Sequence, residues 1–188
     1  MLRSTCITRW RVFPQCAVIG VIASIALTPL AFAATDDAVA DAIADTVTPI
    51  ISPYDSRDYR VLTLENGLNV LLVSDPEADK AAASMNVRVG SAQDPDDLKG
   101  LAHFLEHMLF LGTEPYPESD AYQRYISNNA GSHNAFTAQQ DTNYFFDIEP
   151  SALPGALDRF SEFFLSPLFN ADHLESERNI VHSEYMAR

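Results

Sequence analysis

His103, Glu106 and His107 lie within a five-residue window of the stretch Gly100-Leu101-Ala102-His103-Phe104-Leu105-Glu106-His107-Met108-Leu109-Phe110, which brings two imidazoles and a carboxylate together. On an α-helix, at about 100° per residue, positions four apart differ by roughly 40°, so His103 and His107 leave one face and can grip a single ion. Imidazole nitrogen suits zinc. A neighbouring carboxylate that does not ligate the metal can take a proton from an activated water, giving a nucleophile near neutral pH. Glu106 is placed for that task. The stretch therefore reads as a metal-binding helix able to activate water for hydrolysis. The competing reading, histidines buried on an apolar helix, has support from Phe104, Leu105, Met108, Leu109 and Phe110, which have the look of core. Two histidines four apart with an acid between them form H-x-x-E-H, the pattern of inverted zinc peptidases, and favour the metal.

Two histidines need a third protein ligand if one position is to stay open for water. The acidic segment near the end of the chain offers Glu175, Glu177 and Glu184. Seven helical residues span nearly two turns, so Glu177 and Glu184 lie within about 20° of one another, and spacing alone leaves the choice open. A solvated acidic helix face would give the same pattern. His133, His173 and His182 each stand alone in polar surroundings and are expected at the surface.

The elements that must position these groups can be followed along the chain. Tyr59 to Leu64 and Leu68 to Ser74 are β-rich runs around Glu65-Asn66-Gly67, a hairpin signal because Asn and Gly both tolerate positive φ. A third strand is expected from about Ala82 to Val89. Gly90 and the Asp94-Pro95-Asp96-Asp97 loop should end it, with Asp97 capping the metal helix and Gly112 closing it. A short helix around Tyr122, Tyr125 and Ile126 should precede strands at Ser132 to Gln139 and Asn143 to Ile148, which could pair as a hairpin. Pro150 to Leu165 returns to helical spacing, with Leu153, Leu157, Phe160, Phe164 and Leu165 on an apolar face. A last helix is expected from about Asp172 onward, with Leu174, Ile180, Val181 and Tyr185.

The chain has 188 residues, 47% of them hydrophobic, enough for one domain or part of a larger one. Lys and Arg number 12 against 26 Asp and Glu, a net charge of −14. Without Arg3, Arg9 and Arg11 the balance is 9 against 26, or −17. Such a surface argues against binding nucleic acid through its phosphates. Those three arginines precede an apolar run from Ala17 to Leu27 and the small-x-small triplet Ala31-Phe32-Ala33, the layout of a secretory signal. Residues 1–33 are thus expected to be a signal peptide cleaved near Ala33, 34–56 a flexible lead-in and 57–188 the folded domain. Export, to the periplasm, would leave no stable membrane insertion after signal removal. Both cysteines, Cys6 and Cys16, lie in the leader, so the remainder would fold without disulfides.

Beyond the helix, the segments Gly100 to Thr113 (GLAHFLEHMLFLGT), Tyr116-Pro117, Asn134-Ala135-Phe136-Thr137, Thr142-Asn143-Tyr144, Ala156-Leu157-Asp158-Arg159-Phe160, Pro167-Leu168-Phe169 and Glu177 to Glu184 (ERNIVHSE) resemble, in order and spacing, the N-terminal part of the insulin-degrading enzyme and pitrilysin family. The likeness runs from about Tyr59 to the end. It implies an α+β domain: a mixed, mostly antiparallel sheet packed against helices. It also implies one Zn2+ per chain held by His103, His107 and Glu184, with Glu106 as general base and Glu177 orienting a ligand histidine. The resemblance makes Ser132 to Gln139 a sheet edge to which a peptide substrate adds as a strand. Asn134 and Ala135 would then meet its backbone, and Phe110, Phe136 and Phe145 would line an apolar pocket, the last being Phe where relatives often have Tyr.

Relatives of this kind are much longer, with two halves closing around a chamber. The 188 residues are accordingly expected to be a truncated product or fragment, nearly inactive alone, that needs a missing C-terminal half or a partner chain. A non-catalytic peptide-binding or structural subunit of the same fold is the alternative. It is disfavoured because such proteins usually lose part of the metal motif, whereas here each ligand position is filled.

Overall fold

A computed structural model describes residues 16–23 and 48–187. The expected cleavage triplet Ala31-Phe32-Ala33 and most of the lead-in lie outside the described residues. Six strands form one sheet: β1 (Cys16–Ala23), β2 (Asp58–Thr63), β3 (Asn69–Ser74), β4 (Ala81–Val87), β5 (Ser132–Thr137) and β6 (Thr142–Ile148), in the order β2-β3-β1-β4-β6-β5. Every pairing is antiparallel except β1 with β3. Among the described residues four α-helices accompany the sheet: α1 (Leu101–Leu109), α2 (Ala121–Asn128), α3 (Leu153–Leu165) and α4 (Ala171–Met186). The architecture is α+β, and no helix among the described residues is long and apolar enough to cross a membrane.

The β2–β3 hairpin pairs in unbroken register from Asp58 opposite Ser74 to Thr63 opposite Asn69. Its loop is the expected Glu65-Asn66-Gly67, with one difference: of Asn66 and Gly67, only the glycine uses positive φ. Leu64 N donates to Leu68 O at 2.8 Å, and only Gly67 takes positive φ, at 83°, while the Asn66 side chain accepts from Leu68 N. A three-residue Glu65-Asn66-Gly67 connection with glycine in the left-handed region is the next commonest hairpin. Part of the apolar run read as secretory forms β1, which is inserted between β3 and β4. Its register slips against both neighbours, between Val18 and Val21 on one side and between Val18 and Ile22 on the other.

Alternation along β4 and β6 defines the core face. Ala81, Ala83 and Met85 on β4, and Thr142, Tyr144, Phe146 and Ile148 on β6, are buried, as period-two geometry requires of a sheet covered on one side. Helices α2 and α3 supply Tyr122, Ile126, Leu153, Ala156, Phe160 and Phe163 to the same cluster. Phe163 meets Tyr122 at 4.7 Å and Phe110 at 5.0 Å between ring centroids, both edge to face, a favoured aromatic geometry. The opposite face is polar. Ser84 Oγ donates to Asn143 Oδ1 at 3.1 Å and Asn143 Nδ2 to Asn86 Oδ1 at 3.2 Å, with Phe136 and Phe145 exposed alongside.

The approach to α1 is fixed to the β5–β6 hairpin. Ser91 N donates to Ala138 O and Ala92 N to Gln139 O, at 2.9 and 2.8 Å. A Cβ on Gly90 would stand 2.4 Å from Ala138 O, so this crossing admits only glycine without rearrangement. The cap of α1 is Asp94, not Asp97 as expected. The Asp94 carboxylate is buried and accepts from Gly100 N at 2.7 Å and Ala102 N at 2.9 Å, whereas Asp97 is exposed. Gly100, at φ 92°, turns the chain so that a side chain six residues back meets the first free helical N–H groups. Replacing Asp94 with Ala removes a carboxylate from two backbone donors at a helix N-terminus. We expect a loss of about 2 kcal/mol, lowering Tm by about 5 °C in thermal unfolding.

Candidate metal centre

The face of α1 turned away from Met108 and Leu109, both buried, carries His103 and His107. Their rings lie 4.9 Å apart between centroids and nearly perpendicular, at 81°. Helix α4 packs across α1 and delivers the acids. Glu184 Oε2 is 3.3 Å from His103 Nε2 and 3.8 Å from His107 Nε2. The donor atoms of His103, His107 and Glu184 all lie within 4.8 Å of one another. Tetrahedral ligation with bonds of about 2.0–2.2 Å separates ligand atoms by roughly 3.4 Å. Two imidazoles and a carboxylate at these spacings fit a zinc ion with only small side-chain adjustments.

Glu177, one heptad before Glu184, reaches the other side of the same ring: its Oε2 is 3.1 Å from His107 Nδ1. A carboxylate at Nδ1 favours the tautomer with its proton on that nitrogen, which leaves Nε2, the atom 3.8 Å from Glu184 Oε2, as the ligating one. The two-turn spacing that left Glu177 and Glu184 indistinguishable thus places them on opposite nitrogens of one imidazole.

Glu106 lies outside the donor set. It is 7% exposed, and its Oε2 accepts from Thr137 Oγ1 at 2.5 Å. Burial pushes the Tyr144 hydroxyl well above the usual phenol range, and the nearby Glu106 charge adds to the shift. The contact with Thr137 is invisible in the sequence, since the two residues are 31 apart. The only signal was that Thr137 closes the Asn134-Ala135-Phe136-Thr137 segment.

Strand β5 is one edge of the sheet, with β2 at the other. Asn134 is exposed, and its Oδ1 accepts from the Ala135 N–H at 2.9 Å. The expected three-phenylalanine pocket is not formed. Asn134 pairs with Phe145 across the ladder, so Phe145, Asn134 and Phe136 share the open face. Phe110 belongs to the opposite, helix-covered face, 5.3 Å from the His133 ring and 6.2 Å from Tyr144. Period-two alternation separates them. His133 likewise departs from expectation: it packs against Phe110 and Tyr122 instead of standing at the surface, its Nδ1 is buried without a partner, and burial lowers its pKa. His182 is exposed, and His173 is partly so.

An α+β layer presents an H-x-x-E-H helix with a downstream glutamate turned onto both histidines, the donor set of a metal-dependent hydrolase. The family model described as Insulinase (Peptidase family M16) matches residues 69–188, and the chain belongs to that family. It is 52% identical over 134 residues to insulin-degrading enzyme of Homo sapiens, which covers 71% of this chain and 13% of that protein. It is 47% identical over 136 residues to the putative zinc protease mug138 of Schizosaccharomyces pombe, covering 72% and 14%. Among solved structures, the crystal structure of pitrilysin superimposes with a TM-score of 0.71 at 42% identity, over 76% of this chain and 16% of that one. The chain therefore spans about 13–14% of the length of the curated relatives it matches.

Proposed function

We propose that this chain provides the zinc-binding part of an endopeptidase that hydrolyses peptides or small proteins. The observation carrying the reading is the convergence of His103, His107 and Glu184 from two helices, with Glu106 buried on the same helix but outside the donor set. His103, His107 and Glu184 would hold the ion, and Glu177 would keep the His107 ring in the tautomer that ligates. When bound, zinc supplies a Lewis acid that makes water a nucleophile near neutral pH and polarises a carbonyl. Glu106 accepts the proton of the attacking water and returns it to the leaving amine, so hydrolysis proceeds without a covalent intermediate. The free edge of β5, at Asn134 and Ala135, would take the substrate backbone as an added strand. Pairing of that kind is largely indifferent to side chains and suits broad substrate use.

The remaining contacts to substrate would come from polypeptide beyond these residues or from a partner chain, in keeping with the small share of each relative that is matched. Export, supported by the arginine-apolar-small layout of the leader, is part of the reading; cleavage near Ala33 would take β1 out of the sheet and leave the facing edges of β3 and β4 without the strand between them. A non-catalytic subunit is not favoured, because every position of the His-Glu-His and Glu184 set is filled. A polypeptide of the relatives' length should cleave unstructured peptides, lose that activity to 1,10-phenanthroline and regain it with zinc. The isolated 188 residues should show almost none. Cleavage that survives complete removal of metal would overturn the reading.

A further inference from the structure

The Glu106 carboxylate has two oxygens, and a general base works through the one aimed at the attacking water. The other must be held, or the group rotates. Thr137 Oγ1 lies 2.5 Å from Glu106 Oε2 in a partly buried setting. Thr137 is the last residue of β5 and pairs with Thr142, the first of β6. The Thr142 hydroxyl donates to Val89 O at 2.8 Å and lies 3.5 Å from Thr137 Oγ1. A hydroxyl has one proton. With that of Thr142 committed to a backbone carbonyl, the proton of Thr137 is free to go to Glu106. Both threonines are β-branched and stiff at χ1, so the donor is fixed by the sheet and not by a mobile chain.

We propose that Thr137 is a positioning residue for the general base: it holds Glu106 Oε2 and leaves Oε1 to face the water. The inference deepens the peptidase reading and rests on it. Because Thr137 sits on the edge strand that would receive the peptide, the orientation of the base is set by the element that aligns the scissile bond.

The test compares T137V, which keeps the shape and removes the donor, with T137S, which keeps the donor and loses a methyl. In the 188-residue chain carrying side-chain carboxyl 13C-glutamate, the Glu106 resonance is identified by its loss in E106Q. T137V is expected to shift that resonance and T137S to leave it near the parent position. Zinc affinity should change by less than about twofold in both, against roughly tenfold or more when a residue orienting a ligand is removed. In the zinc-loaded longer enzyme, T137V should lower kcat about tenfold at nearly constant KM, with T137S restoring most of it. An unmoved Glu106 resonance in T137V, or T137S falling as far as T137V, would overturn the assignment. A wild-type enzyme that binds zinc and cleaves nothing would instead overturn the peptidase reading, and the 13C shift would still decide the Thr137 contact.

Discussion

Glu106→Gln is expected to abolish peptide hydrolysis while leaving the metal in place. The substitution keeps the length of the side chain, and an amide oxygen can still accept from Thr137, so the buried position retains its partner. It removes the ability to take up a proton. General bases contribute about 10²–10⁴ in rate, so kcat should fall by about a thousandfold with little change in KM. Zinc stoichiometry, measured by atomic emission on the same preparation, should remain at one per chain, because the donor set His103, His107 and Glu184 does not include Glu106. Zinc leaving with the substitution would make Glu106 a ligand and would undo the division of roles.

The second large effect separates the two acids of α4. Glu184 Oε2 faces both histidine Nε2 atoms, and its replacement by Gln removes a charged donor from a three-residue set. Structural zinc sites bind with about 10–16 kcal/mol spread over four ligands, so losing one should weaken affinity by roughly a hundred- to a thousandfold. Glu177 touches only the Nδ1 side of His107. Its replacement by Gln should cost about 10–100-fold, the usual effect of loosening the partner that orients a ligand histidine. Competition with a chromophoric chelator measures both. Equal losses would mean that the two carboxylates share one role.

Much of this arrangement was legible in the chain because its signals are local. The i, i+4 histidines fix one face of α1 whatever surrounds them, and period-two burial along β4 and β6 follows from alternating residue size. Distant partners were not legible. Sequence points to Asp97 because caps sit next to the first helical turn, and nothing in the residue order reveals that Gly100 folds the chain back to a carboxylate six positions earlier. Phe110 was grouped with Phe136 and Phe145 by chemistry, whereas the strand register puts it across the sheet from them. His133 looked isolated among polar neighbours, yet strand alternation turns its ring into the aromatic cluster. The choice between Glu177 and Glu184 rested on resemblance, and only the His107 ring, offering one nitrogen to each, gives it a physical basis.

Helix α4 has a further consequence. Of its sixteen residues only Val181 is buried, and Leu174, Ile180, Tyr185 and Met186 face outward. Its hydrophobic anchorage is thus slight, and the imidazole and carboxylate contacts of Glu177 and Glu184 make up much of its grip on α1. An ion held between the two helices would act as a clasp, and by reciprocity whatever steadies the helix must tighten the ion. At a free zinc concentration one hundred times the dissociation constant, that coupling amounts to about 2.7 kcal/mol. Ion capture and the docking of α4 would then be two views of a single equilibrium.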